Sequence, residues 1–351
     1  MGLTCYANAV LQSMRHIPRL IWLLEAGRAD TLFERGDALK PRRAKQQELI
    51  TTFGEVVQML WQCKQGQSVR PGEFWKRFRP VVADTMYEHL ASKAPHDSHE
   101  FFLCLLETIH EATAQEVDMR ILRPPPTTPE DRLVHGALAA WQREFSKEYS
   151  PFVDLFFGLH HWQTECQACK NVSHRWESFN SLKMSMPSGG LGAGSPALEE
   201  LLRADMAPET VEDYQCDNCK GRTQAHRWAR IWRLPQVVVV VLKRFTPDGR
   251  KIHTRLADLG GPGLNFAPYF SEASPERRGG VDYTLQSIVD HHGSAGGGHY
   301  TAQCLQDTTW YLYDDEGVIE MPGGAPSRPH VGESTYMLFF ERAAIAKAPE
   351  A

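Results

Sequence analysis

Two cysteine pairs of identical spacing, Cys166-Gln167-Ala168-Cys169 and Cys216-Asp217-Asn218-Cys219, set the strongest limit on how this chain folds. Each C-x-x-C pair turns two thiolates toward one point, and two such knuckles complete a tetrahedral site for a zinc ion. The stretch between the pairs, residues 170–215, is longer than in a compact zinc ribbon, so the knuckles must come from two separate hairpins clamped together. Four thiolates leave no open position for water or substrate, which makes such a zinc structural. Reduced, unliganded cysteines are the competing account, and the shared spacing weighs against it. Eight cysteines in 351 residues, half of them in these pairs, suit metal and catalysis in a reducing compartment better than a disulfide framework. The expected home is intracellular, in cytoplasm or nucleus.

Around the knuckles the chain reads as β. Phe152 to Gly158, Trp176 to Met186, Trp228 to Trp232, Val237 to Phe245 and Thr335 to Phe340 are rich in aromatic and β-branched residues, and the valine run from Val237 predicts a strand covered on both faces. The first third reads as helix. Leu49, Ile50, Phe53, Val56, Val57, Leu60 and Trp61 recur at spacings of three and four within Gln47 to Cys63. Glu73 to Leu90 is a second helix interrupted by Pro80, and Asp97 or Ser98 caps a third whose Phe101, Leu105 and Ile109 face the core. Three prolines from Pro124 hold an extended segment, a short helix covers Leu133 to Phe145, and Asp248 to Gly280 is dominated by loops. The glycines from Gly189 to Gly194 form a connector, and Ala343 to Ala351 a fraying tail.

Composition narrows the function classes. At 42% hydrophobic and 23% charged the chain can bury one large core or two modest ones. A formal net charge of −5 gives no reason to propose nucleic acid or an anionic membrane as partner. Neither Val237 to Leu242, which is too short, nor the first apolar stretch, broken by Arg15, His16, Pro18 and Arg19, is a spanning or signal segment.

The chemistry lies at the two ends. Met1 to Gln12 places Thr4 as a cap and Cys5 on the first turn of a helix carrying Val10, Leu11 and Met14, where backbone N–H groups and the dipole favour a thiolate. A small buried hydrophobe is the bland alternative. Far downstream, His291-His292-Gly293-Ser294-Ala295-Gly296-Gly297-Gly298-His299-Tyr300 leads into a strand. A turn at Gln306 to Thr309 follows, then a second strand ending at Asp314-Asp315. Tyr300, Ala302 and Cys304 share one face of the first strand. This is a base and its orienter on neighbouring strands, and a cysteine early with histidine and acid late is the order of papain-like thiol proteases.

The Cys5 segment resembles the cysteine box, and His291 to Asp315 the histidine box, of the ubiquitin-specific protease family of deubiquitinases. Asp97-Ser98-His99-Glu100-Phe101 is similar to the family's Gln-x-Asp-x-x-Glu-Phe box, and Leu242-Lys243-Arg244-Phe245 to another of its motifs. The likeness runs through nearly the whole chain in family order. It implies an α+β, papain-like fold in one catalytic domain, with a helical thumb over 1–150, zinc-tipped β fingers over 151–235 and a β-rich palm over 236–342. It implies no catalytic cofactor, and ubiquitin and ubiquitinated proteins as partners.

In that family Cys5 would attack the carbonyl of ubiquitin's terminal glycine in an isopeptide or peptide bond, and His299 would take the thiol proton. Asp314 would orient the imidazole, with Asp315 a secondary candidate near the oxyanion, and choosing Asp314 over Asp315 rests on the resemblance alone. Asp97 and Glu100 would hold ubiquitin's basic tail; helix capping is the account the sequence alone favours, and the two roles can coexist. Gly297, Gly298 and Tyr300 would line a channel narrow enough to demand Gly-Gly, while a plain hairpin turn is as good an account of the glycines. His291 matches a loop histidine near the tail, with a partly exposed surface histidine as the alternative. Two departures stand out. Pro95 and His96 replace the glutamine of the acidic box, and the oxyanion asparagine five residues before the cysteine falls before Met1. The second implies a truncated N-terminus or another donor, and with it weaker cleavage. The rivals are a ubiquitin-binding pseudoprotease, a protease for another ubiquitin-like modifier, and a zinc-ribbon nucleic-acid binder using Lys170, Arg175, Lys220 and Arg222.

Overall fold

The structure, a computed structural model, describes residues 4–25, 28–33, 40–64, 66–188, 194–261, 263–294, 296–322 and 328–343. The expected connector glycines 189–193 and the tail beyond 343 lie outside them. Helix α1 (Cys5–Arg15) is buried on nearly every side, from Tyr6 and Ala7 through Val10 and Leu11 to Met14. A helix enclosed on so many sides belongs in the middle of a molecule. The helices α2 (Pro18–Leu24), α3 (Arg28–Leu32), α4 (Pro41–Gln62), α5 (Gly72–Val82) and α6 (Ser98–Thr113) gather around it, and α7 (Pro129–Phe145) and α8 (Pro151–Phe156) follow. Pro80 does not break α5 at once; the helix ends two residues later at Val82, and Glu88–Ala91 forms a separate 3-10 turn.

Phe152 to Gly158, expected as a strand, is instead α8. Ser150 is extended and Pro151 sits in the first helical turn, a start that Pro favours. The run is short and mostly apolar, with only Asp154 to break it, which is too little periodicity to separate helix from strand.

Two sheets complete the chain. The smaller joins β1 (Gly158–Cys166), β2 (Val172–Phe179), β4 (Glu209–Gln215) and β5 (Arg222–Arg233) in the order β2-β1-β5-β4. The larger is built from β3 (Leu182–Ser185), β6 (Val237–Lys243), β8 (Asp282–Ser294), β9 (Gly297–Gln306), β10 (Thr309–Asp314), β11 (Gly317–Glu320) and β12 (Thr335–Arg342). Its order is β11-β10-β9-β8-β12-β6-β3, with the short β7 (Gly263–Asn265) on β8. Segment 151–235 is therefore shared between the sheets, because β3 pairs in parallel with β6, and helix α9 (Leu198–Asp205) packs beside them.

The valine run explains the layering. Val237, Val239 and Val241 point into the core shared with α1, α4, α5 and α6, while Val238, Val240 and Leu242 point into a second core with α9, Phe266 and Tyr283. Strand alternation assigns the two faces, and both being buried makes the run continuous. Among the described residues no helix is long and apolar enough to cross a membrane.

Candidate active site

Cys5 opens α1, and Thr4 occupies the N-cap without capping by its side chain. The Thr4 hydroxyl accepts from the Asn8 side-chain amide at 3.4 Å instead, so it does not claim the first-turn N–H groups. The cysteine is 7% exposed and lines a cleft of about 1130 Å³ together with Gly298, His299, Asp314 and Asp315.

On the facing sheet His299 rises from β9 and Asp314 ends β10, one strand away. His299 Nε2 lies 2.5 Å from Asp314 Oδ1, which leaves Nδ1 as the ring nitrogen without that partner. Asp315 follows in the left-handed region, φ 48°, at the turn into β11. Its Oδ1 accepts from Asn8 Nδ2 at 2.7 Å, while its carboxylate stays in one cluster with His299 and Asp314, their ligand atoms within 4.8 Å of one another. Adjacent carboxylates, indistinguishable by spacing, thus serve different elements: Asp314 the histidine of β9, Asp315 the asparagine of α1. Asn8 is a site residue that pattern reading passed over; its signal is the i+3 position, which puts it on the same helix face as Cys5.

The acidic box lies on the other flank of Cys5. Tyr6, next to the cysteine, packs edge-on against His96 and Phe101 at 5.2 and 5.6 Å. Asp97 caps α6: its Oδ1 accepts from the Glu100 N–H at 2.9 Å and its Oδ2 from the Tyr336 hydroxyl at 2.7 Å. Both oxygens have a partner, though each retains a second lone pair. Burial, then the Asp97 carboxylate, pushes the Tyr336 phenol well above its ordinary range, which keeps it a donor. Glu100 meets His89 Nε2 at 2.9 Å. Neither Tyr336 nor His89 carried a recognisable sequence signal.

His291 is not a loop residue, nor is it partly exposed. It sits inside β8 at 4% exposure, its ring 4.6 Å from Tyr300 and 5.1 Å from Phe245. Burial, then Lys251, lowers it to about 4, so it is neutral near pH 7. It lies under Gly298: a Cβ there would come within 2.4 Å of His291 Nε2 and 2.3 Å of the His292 carbonyl. Gly298 is thus required by close approach, whereas a Cβ on Gly297 meets nothing within 4 Å. Arg244 of the Leu-Lys-Arg-Phe motif is fully buried and donates to the carbonyls of Ile252, Thr254, Gly332 and Thr335, tying down the loops beneath this cluster.

The knuckles sit at the far end of the smaller sheet, one between β1 and β2 and the other between β4 and β5. Their four sulfurs lie within 4.8 Å of one another, with Cys166–Cys219 at 3.9 Å and Cys169–Cys216 at 3.7 Å. Both turns have the same form, for Lys170 and Lys220 each adopt φ near 58° and 57° just after the second cysteine. The Asn218 side-chain amide donates to Cys169 and lowers its thiol to about 6. Four sulfurs so arranged could hold a zinc ion. Of the nearby basic residues, Lys170 pairs with Glu165, Arg175 with Glu177 and Arg222 with Asp213, which breaks up any phosphate track.

The family model described as ubiquitin carboxyl-terminal hydrolase matches residues 1–340. The chain belongs to that family. Members of this hydrolase family are cysteine peptidases, and the order Cys5, His299, Asp314 fits. Ubiquitin carboxyl-terminal hydrolase 21 of Homo sapiens is 27% identical over 364 residues, covering 97% of this chain and 60% of the relative. The Bos taurus form is 26% identical with the same coverage. This hydrolase-family chain therefore spans about 60% of the length of those relatives. Ubiquitin carboxyl-terminal hydrolase 2 of Gallus gallus is 28% identical over 306 residues, covering 84% of this chain and 80% of the relative. Among solved structures, the SAGA deubiquitinating module Ubp8/Sgf11/Sus1/Sgf73 bound to monoubiquitin superposes with a TM-score of 0.70 at 21% identity, covering 98% of this chain and 68% of that one. The same module bound to ubiquitin aldehyde gives 0.68 at 20%. The α+β, papain-like arrangement expected from the resemblance is the fold these structures share.

Proposed function

We propose that this chain is a thiol-dependent deubiquitinase that hydrolyses the isopeptide or peptide bond after the C-terminal Gly-Gly of ubiquitin. The observation that carries the reading is the meeting, in one cleft, of a cysteine at a helix start with a histidine held by a carboxylate at 2.5 Å.

Cys5 Sγ attacks the glycine carbonyl while His299 takes the thiol proton. The C–N bond breaks, the amine leaves with that proton, and a thioester remains. Water then attacks the thioester, giving its proton to His299, which returns it to the sulfur. Asp314 fixes the imidazole orientation and supports its charge. Asp315, held by Asn8, acts beside the oxyanion, and the N–H groups at the start of α1 supply donors.

Asp97 and Glu100 accept from ubiquitin's basic tail, using their remaining lone pairs. Tyr300, Gly297 and Gly298 border the narrow channel that admits glycines, and His291 acts from beneath, by supporting Gly298. Cys166, Cys169, Cys216 and Cys219 would hold a structural zinc that stiffens the fingers, and the fingers cradle the body of ubiquitin. That ion would fix the two hairpins together and supply no step of the reaction. Partners are ubiquitin and ubiquitinated proteins.

Ubiquitin carrying a C-terminal electrophile tests the reading. Intact-mass measurement should find one adduct, lost in Cys5→Ala; a folded protein that forms no adduct on Cys5 would refute a competent nucleophile.

A further inference from the structure

The cleft does not end at the reacting residues. Asp97, Glu100, Tyr300 and Tyr336, on the flank assigned to ubiquitin's tail, do not line it. From Cys5 it runs the other way along one face of α1, past Asn8, Gln12 and Arg15, a span of roughly 15 Å at helical rise. One wall is Trp61 with the segment that follows α4; the other is the β10–β11 hairpin with Tyr313, Glu316 and Val318.

Arg15 ties the walls together. Its guanidinium lies 4.5 Å from the Trp61 ring and 5.1 Å from that of Tyr313, and Nη2 donates to the Tyr313 hydroxyl at 3.1 Å. Beneath the walls, Gln12 Oε1 and Arg15 Nε are buried without a protein partner. Both atoms are shut off from solvent, so they offer no hydrogen bond to an incoming chain, and what the groove presents is its walls. The rim is open and mixed: Trp61, 41% exposed, and Val318, 58% exposed, stand among polar Lys64, Gln67 and Glu316, and β11 pairs only with β10 among the described residues.

We propose that this half of the cleft is the acceptor site: it seats the polypeptide segment bearing the modified lysine, on the leaving side of the scissile bond. The inference rests on the protease reading and extends it. With the tail entering from the Asp97 flank, an in-line departure carries the amine along α1. Asp315 and Glu316 at the near lip can accept from the N–H groups of the departing amine, and Trp61 and Val318 grip the flanking residues from both sides. A segment at about 3.3 Å per residue needs four to five residues to reach Arg15, so recognition extends a few residues to one side of the lysine.

Two substrates with the same ubiquitin half separate this from general damage. One carries a small fluorophore amide on ubiquitin's terminal glycine; the other carries a ten-residue peptide joined through its lysine. Trp61→Ala and Val318→Asp should each lower the ratio of kcat/KM for peptide over fluorophore by roughly tenfold. Val318 is an exposed edge residue, so its variant guards against misfolding. An unchanged ratio in both variants, with wild type active on the fluorophore, overturns the acceptor site alone. Wild type inert toward both substrates overturns the protease reading and this inference with it.

Discussion

The fingertip and the catalytic junction solve the problem of rigidity in opposite ways. At the tip, two hairpins meet with little apolar surface between them: β2 and β4 are exposed or half-exposed along their length, and four sulfurs within 4.8 Å make the closure. At the junction, α1 is clasped by α6 and the large sheet, and Val10, Met14, Phe102, Val289 and Phe339 are all but inaccessible. One region has a clamp and almost no core, the other a core and no clamp. Precision at the junction therefore comes from packing, which tolerates no free volume. At the tip it would depend on an ion held by local ligands.

The contrast can be attacked directly. The largest effect should come from the junction's chemistry: Cys5→Ala and His299→Ala should each lower turnover of a ubiquitin fluorophore amide by about 10⁴-fold or more, with melting temperatures within a few degrees of wild type. A comparable loss of stability would mean that these residues serve the packing. Next, stripping the knuckles with a chelator, or Cys169→Ser, should release zinc-binding free energy of about 10 kcal/mol at the tip. Hydrogen exchange should accelerate at residues 163–175 and 213–225 while α1 and β9 stay protected; acceleration at both would show one cooperative unit.

A smaller effect tests the junction's tightness. Gly298→Ala drives a Cβ to within 2.3 Å of the His292 carbonyl and should lower stability in urea by about 3 kcal/mol, whereas Gly297→Ala, in open space, should leave it within about 0.5 kcal/mol. The smallest expected effect per group is acid sensitivity, which both regions carry through buried histidines. Burial, then Arg15, lowers His16 to about 3; burial, then His174, lowers His161 at the base of the fingers to about 4. Both are neutral when folded but take up a proton when unfolded below about pH 6.5. Stability should therefore fall as pH drops from 6.5 toward 4, by about 2 kcal/mol per group at pH 5. His161→Gln should flatten part of that slope, as read from melting curves between pH 7 and 5.

Legibility followed the range of the interaction. The zinc knuckles announce themselves because each pair of ligands lies within one turn of chain. The valine run announces two covered faces because alternation is local. The helix from Ser98 was visible through its cap, and Asp97 does accept from the Glu100 N–H at 2.9 Å. By contrast, α8 reads as a strand in the sequence, since six residues from Pro151 to Phe156 are too few to show a helical period. Tyr336, 239 residues from the Asp97 carboxylate to which it donates, left no mark in the local pattern. Asn8 could have been found from its i+3 position; His89 beside Glu100 could not. His291 was taken for a loop residue because the glycines begin two positions later, yet β8 runs on through Ser294 and buries it.

What the sequence determined by itself was the inventory and the order: a cysteine at a helix start, a histidine and two carboxylates on consecutive strands, four thiols in matched turns. These are fixed by nearest-neighbour geometry, which periodicity and spacing encode. Only the tertiary structure decided which carboxylate meets the histidine, that Asn8 holds the other, and that the cleft continues past Cys5 to Arg15. Those outcomes depend on how α1 seats against β9 and β10, nearly three hundred residues away, and on the backbone reversal at Asp315 that lets two adjacent acids pair with different elements.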